Sequence, residues 1–293
     1  MAKQVLAFIG GSGLYDIDFI DEKKLLNVDS PWGKTSDQII EGTINGKKIY
    51  FLSRHGKGHK LSPSVINYRA NIESLKQCGV TDIFSLSAVG SLKESLDPGT
   101  FVIVDQFIDR TIFRNKSFFN DGIIAHVPLS DPVSKELISL SEEVLRKLNI
   151  KYSKGGTYLT IEGPQFSTFS ESKLYRMWGC DVIGMTNMPE AKLAREAEIR
   201  YCSISMITDY DCWHKDHESV SLDMVIKTMK DNTIKSKEFI KNVSIEYYKG
   251  IDFSNDKTHN ILDNSIITHR NSWDKNIEKK LNSILERYNK FKS

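Results

Sequence analysis

Short apolar runs separated by longer helical patterns fill the first 250 residues, and that alternation confines the chain to an α/β architecture. Val5 to Ile9, Lys48 to Leu52, Ile83 to Leu86, Phe101 to Val104, Thr157 to Ile161 and Tyr201 to Ile207 read as strands. Val65 to Cys78, Ser134 to Leu148, Ser170 to Trp178, Pro189 to Ala197 and Ser219 to Ile240 read as helices. The expected fold is a central mixed sheet with helices on both faces. Beyond Gly250 the pattern changes: Ile251 to Asn271 is polar, and Ile277, Leu281, Ile284, Leu285 and Tyr288 then share one helical face. Residues 251–293 are expected to extend a 1–250 domain, with their amphipathic helix packed on the core or on a neighbouring subunit.

Several function classes are disfavoured by composition. A net charge of +2 with a pI near 8.2 gives no basic field of the kind that nucleic-acid binders carry, so a small-molecule partner is expected. Cys78, Cys180, Cys202 and Cys212 have no paired spacing, which suits reduced thiols in the cytoplasm and no metal centre. The apolar run after Met1-Ala2-Lys3-Gln4 is too short for a signal sequence or a membrane span.

The most informative chemistry is Thr208-Asp209-Tyr210-Asp211, because two carboxylates one residue apart follow an apparently buried strand. Open α/β sheets place ligand groups at such strand ends. A carboxyl accepts from an exocyclic amine or, when protonated, donates to a ring nitrogen, and adenine offers both partners. The plain alternative has Asp209 capping the next helix and Asp211 in solvent.

Other strand ends carry groups suited to an anion. Gly10-Gly11-Ser12-Gly13 offers amides and a hydroxyl, although taken alone a plain turn is the more common explanation of such a motif. Ser53-Arg54-His55-Gly56-Lys57-Gly58-His59 brings a guanidinium and an imidazole together, as a phosphate dianion requires. The glycines there argue against a helical His55/His59 metal pair. Ser85 to Ser91 and Met185-Thr186 add further hydroxyls and amides.

Together these segments resemble the trimeric purine nucleoside phosphorylase family, and within it the branch acting on S-methyl-5′-thioadenosine. The resemblance covers about Val5 to Tyr247. It is carried by Gly10-Gly11-Ser12-Gly13, Arg54-His55-Gly56 with His59, Asn67-Tyr68-Arg69-Ala70-Asn71 and Ser87-Ala88-Val89-Gly90-Ser91-Leu92. Further matches are Asp105 to Thr111, Ile161 to Ser167, Met185-Thr186 with Pro189-Glu190, and Thr208 to Trp213.

The resemblance implies a phosphorylase/hydrolase-like domain that performs phosphorolysis, with inorganic phosphate as co-substrate and no metal or organic cofactor. By motif position it implies that Ser12, Arg54, His55, Ser87, Ala88 and Thr186 hold phosphate. Met185 would meet the ribose, Phe166 the base, and Asp209 with Asp211 its edge, Asp209 giving a proton to N7, with Tyr210 also among the substrate-binding residues. For that, burial and the neighbouring Asp211 would have to raise its pKa from about 3.9. Asp rather than Asn in this segment favours adenine over a 6-oxopurine. Ser167, Leu222 and Val225 would set specificity, with His126 reaching the methylthio slot from an adjacent subunit of a homotrimer. Core packing is the plain alternative for Leu222 and Val225, and a satisfied loop histidine for His126.

The sequence departs from family members at several places. Ser12 and Ser87 stand where many members have threonine, and Gln165 and Phe169 where some have arginine. A broader phosphorylase accepting adenosine, inosine or methylthioinosine is the nearer alternative. A non-catalytic nucleotide-binding protein is the distant one.

Overall fold

The computed structural model describes residues 4–15, 17–214 and 222–292, with side chains except at 222–225 and 292. Among the described residues thirteen strands run β1 Leu6–Gly10, β2 Asp21–Leu26, β3 Ile39–Ile44, β4 Lys47–Ser53, β5 Asp82–Ser91, β6 Phe101–Val104, β7 Gln106–Asp109, β8 Asn120–Asp121, β9 Ile123–Ile124, β10 Tyr152–Lys154, β11 Thr157–Thr160, β12 Val182–Gly184 and β13 Arg200–Asp209. Seven α-helices are interspersed among the same described residues: α1 Tyr68–Gln77, α2 Lys135–Lys147, α3 Phe169–Met177, α4 Asn187–Glu196, α5 Leu222–Tyr247, α6 Lys275–Lys280 and α7 Asn282–Lys292.

Eleven strands form one mixed sheet, whose main path is β10-β6-β13-β5-β1-β4-β3-β2. Its centre is parallel, with β1 between β4 and β5 and β13 beside β5. These strands are buried along almost their whole length, which is why they read as continuous apolar runs. Antiparallel pairs occur at β2–β3, β3–β4 and β13–β6, while the far edge strand β10 is parallel to β6.

Element boundaries moved where capping or pairing overrode periodicity. Helix α1 starts at Tyr68 rather than Val65 because the Asn67 side chain accepts from the Ala70 amide and caps it. Strand β2, with the sequence DEKKLL, escaped notice because it is an exposed edge with no apolar alternation. Strand β13 continues past Ile207 through an irregularity at Thr208, so Asp209 ends the strand rather than following it.

The C-terminal residues share the central hydrophobic core: Leu262, Leu281, Ile284 and Leu285 are fully buried within it. The expected single terminal helix is two, α6 and α7, because Leu281 caps the first outside helical geometry while its side chain stays in the core. Arg287 forks onto Glu198 at 2.6 Å through both Nε and Nη2. Ile266 forms a bridge with Ala125, and His126 N–H donates to the Ser265 carbonyl at 2.8 Å. Among the described residues no helix is long and apolar enough to cross a membrane.

Candidate active site

The site originates in a fork of the sheet. On one edge β5 pairs with β13 from Asp82 to Gly90. On the other edge β1 covers it only from Asp82 to Leu86, and β12 joins only at Gly90 and Ser91. Ser87, Ala88 and Val89 therefore have no strand beside them on that edge, and all three line a cavity of about 520 Å³. The cavity is also lined by Ser12 after β1, Arg54 and His55 after β4, Met185 and Thr186 after β12, and Asp209 and Asp211 at the end of β13. This is the C-terminal edge of the parallel strands, where such sheets bind ligands.

At one end lies Arg54, fully buried. Its Nε donates to Glu190 Oε2 at 2.7 Å and its Nη2 to Glu190 Oε1 at 3.1 Å, a bidentate pair. Ser85 Oγ and the Leu86 carbonyl accept two more of its N–H groups, at 2.6 and 3.1 Å. Burial opposes the guanidinium charge, but the Glu190 carboxylate more than offsets it and raises the Arg54 pKa. A Cβ on Gly11 would stand 2.8 Å from the Leu86 carbonyl and 3.0 Å from Arg54 Nη1, so only glycine lets the first loop approach this closely.

Beside Arg54, His55 donates from Nδ1 to the Leu61 carbonyl at 2.9 Å and stacks on His59 with ring centroids 4.2 Å apart. Burial, reinforced by the Arg54 charge, pushes its pKa down to about 4, so the imidazole is neutral at pH 7. With Nδ1 carrying the proton, Nε2 is an acceptor. His59 is fixed in turn by Tyr15, whose hydroxyl lies 2.5 Å from Nδ1. Ser87 and Thr186 hydroxyls lie 3.3 Å apart and complete a polar cradle with the loop at Gly11 and Ser12. Among the described residues no cluster of three or more His, Cys, Asp or Glu could hold a metal ion.

The opposite end carries the acids. The Thr208 hydroxyl donates to Asp209 Oδ2 at 2.7 Å, and the Asp211 amide donates to Oδ1 at 2.8 Å. Asp209 thus holds the first amide of the short 3-10 turn Asp211–Trp213 while lining the cavity, but the N-cap position is Tyr210, which makes no side-chain cap bond. Burial raises the Asp209 pKa against the Thr208 hydroxyl and the Asp211 amide, which hold it down. The Asp211 residue acts on Asp209 through its N–H, which donates to Oδ1 and opposes the rise, while the two carboxyls repel one another. Gly90 makes room here, since a Cβ on it would lie 3.1 Å from Asp209 Oδ1.

Asp211 is raised as well, first by burial and further by Asp209. Its Oδ2 and the Ser167 Oγ are buried beside the cavity with no partner in hydrogen-bond geometry, although the nearby Ser172 hydroxyl and Cys212 amide hold the Asp211 carboxyl's pKa down. Phe166 contributes an open apolar face, 84% exposed at the rim.

One expected contact is not made. Tyr210 does not line the cavity: it stacks on His214 with centroids 4.5 Å apart and meets Trp213 edge-on. The reason is local, since Asp209 and Asp211 face the cavity and the residue between them faces away. His126 is exposed and outside the cavity of its own chain. The side chains of Leu222 and Val225 lie outside the described residues, while Met229 of the same helix lines the cavity.

Sequence reasoning also missed Arg114. Its Nη1 donates to the Met185 and Met188 carbonyls at 2.6 and 2.7 Å, its Nη2 to the Glu162 carbonyl at 2.6 Å, and its Nε to Glu162 Oε1 at 3.1 Å. It thereby ties the segment bearing Met185 to the rim bearing Phe166. A single arginine in a polar loop gives no periodic signal for such a role.

A family model described as the phosphorylase superfamily matches residues 5–244. The chain is 54% identical to an S-methyl-5′-thioadenosine phosphorylase of Rhodospirillum rubrum, over 97% of this chain and 96% of that protein. It is 47% identical to one of Bradyrhizobium diazoefficiens, over 98% and 99%. Among solved structures, a methylthioadenosine phosphorylase from an Antarctic soil metagenomic library superposes with a TM-score of 0.90 at 40% identity, covering 97% of this chain and all of that one. The Schistosoma mansoni methylthioadenosine phosphorylase in complex with adenine gives 0.86 at 31% identity, over 91% of this chain and 100% of that one. With the forked sheet, the two-ended cavity and a match over most of its length, the chain belongs to the phosphorylase superfamily.

Proposed function

We propose that this protein catalyses the reversible phosphorolysis of S-methyl-5′-thioadenosine to adenine and 5-methylthioribose 1-phosphate. One observation carries the reading: a single cavity holds Arg54, Ser87 and Thr186 at one end and, at the other, a half-buried Asp209 whose pKa desolvation raises. Relatives named for this reaction support the choice of substrate.

In this reading a phosphate oxygen forms a bond to C1′ as the C1′–N9 bond breaks. The bonding pair leaves with the purine, and protonated Asp209 gives its proton to N7, ending as a carboxylate. Positive charge on the sugar is met by the phosphate itself, which Ser12, Arg54, His55, Ser87, Ala88 and Thr186 hold in line. Phe166 lies against the base and Met185 against the ribose. Asp211 Oδ2 and Ser167 Oγ, unpartnered otherwise, meet the adenine edge; a 6-carbonyl there would face an acceptor and be rejected.

The methylthio slot is assigned to Leu222 and Val225 together with His126 of a neighbouring copy, which makes the working unit a homotrimer. Large exposed apolar side chains near the rim, among them Ile112 and Phe113, favour a covering copy. Phosphate is a co-substrate and no metal or organic cofactor is called for; the cytoplasm is the assigned compartment.

The test is purine release from methylthioadenosine, adenosine, methylthioinosine and inosine, each with and without phosphate. Phosphate-dependent adenine release, fastest with methylthioadenosine, is expected. Preference for the inosine compounds would refute the base assignment, and phosphate-independent release would mean hydrolysis.

A further inference from the structure

We infer that Glu190 is a positioning residue for this reaction, acting on the attacking phosphate through Arg54. The inference rests on the phosphorolysis reading and deepens it. A guanidinium has five N–H bonds, and four of those on Arg54 are spent on Glu190, Ser85 and the Leu86 carbonyl. The fifth belongs to Nη1, which a Cβ on Gly11 would meet at 3.0 Å. Glu190 thus turns a mobile five-donor cation into a fixed, single-donor one.

Glu190 itself cannot reach a ligand. It is 1% exposed, lies in the first turn of α4 and does not line the cavity. Its orientation is over-determined from other elements: Oε1 also accepts from Ser85 Oγ at 2.6 Å and from the Tyr201 hydroxyl at 2.8 Å. The Asn187 amide, three residues earlier on the helix, donates to that same tyrosine oxygen at 3.0 Å and to Ser87 Oγ at 3.3 Å. Ser203 locks the Asn187 carbonyl oxygen at 2.6 Å. One buried cluster on the α4 start therefore sets the angle of Arg54 and the rotamer of Ser87 together, and both face the anion.

A buried ion pair adds little stability over well-packed apolar residues, so burial energy alone does not account for the four-element arrangement. Fixed donors aimed at a reacting anion do account for it, because they need no reorganisation as charge moves.

The experiment measures steady-state kinetics of full-length parent, Glu190→Gln, Tyr201→Phe, Arg54→Lys and the Arg54→Lys/Glu190→Gln double variant, varying phosphate and methylthioadenosine separately. Glu190→Gln should raise KM for phosphate about tenfold and lower kcat, with KM for the nucleoside changed by less than about twofold. Tyr201→Phe, which removes one donor to Oε1, should show the same split at about threefold. In the Arg54→Lys background Glu190→Gln should add almost nothing, because a lysine cannot hold the fork. Equal effects on both KM values, additive effects in the double variant, or a lowered Tm with phosphate KM unchanged would each overturn the inference. Should Glu190→Gln not fold, Tyr201→Phe alone decides it by the same split. If the parent releases no adenine in response to phosphate, the phosphorolysis reading has failed and the inference falls with it.

Discussion

At the anion end of the cavity, Arg54 is buried and its donors are almost all committed before any ligand arrives. At the base end, Phe166 stands 84% exposed, and Asp211 Oδ2 and Ser167 Oγ are left without partners. The first end is rigid because its groups satisfy one another across β4, β5, β13 and α4. The second keeps hydrogen-bonding capacity in reserve, at a cost in stability that a bound purine would recover. A fixed anion site thus adjoins an unfinished recognition site.

The largest effect expected from breaking this contrast is at Arg54. Arg54→Met should reduce kcat/KM for phosphate by about 10³-fold and destabilise the protein by about 3–5 kcal/mol, by leaving Glu190 buried and unpaired. Adding Glu190→Leu should recover most of the stability, read by denaturant unfolding, and none of the activity. Recovery of both would mean that the pair serves folding alone.

Next in size is Asp209→Asn, expected to lower kcat by about 10²–10³-fold with phosphate KM unchanged. Its folded pKa is raised by burial, so the carboxyl's contribution to stability is full below the ordinary value of about 3.9 and is lost as pH rises through the folded value. Asn mimics the protonated form, and the variant should therefore unfold at higher temperature than the parent at pH 8 while being less active. Activity of the parent should fall on the alkaline side as Asp209 loses its proton. A variant less stable at every pH would show that the acid is not held protonated.

The smallest of these effects is at Phe166. Phe166→Ala should raise KM for the nucleoside about tenfold through lost stacking, and leave phosphate KM and Tm nearly unchanged because the ring is exposed. A large loss of stability would place that ring in the packing and remove the contrast between the ends.

The residues lining the rigid end were named in sequence by motif position, and Ser12, Arg54, His55 and Thr186 also follow apolar strands, whereas Ser87 and Ala88 lie within β5, where the resemblance and not a strand end singled them out. Glu190 and Arg114 were not assigned a role, since a charge on a helix start or in a loop looks the same whether it meets water or a buried partner. Tyr210 was misjudged because adjacency to two site acids does not fix which way a turn residue faces. In the fold, central strands announced themselves by burial on both faces, whereas β2 and β12, one charged and one three residues long, gave periodicity nothing to register.

The fork of the sheet at Ser87 to Val89 has one more consequence. Main-chain groups along an uncovered strand edge usually invite another strand, and proteins guard them against it. Here the open stretch is three residues long and closed at both limits by β1 and β12, too short for a foreign strand to zip onto. The edge is thereby available to a compact guest and denied to a foreign strand, so the opening that admits a nucleoside leaves the sheet closed to edge-to-edge pairing at this point.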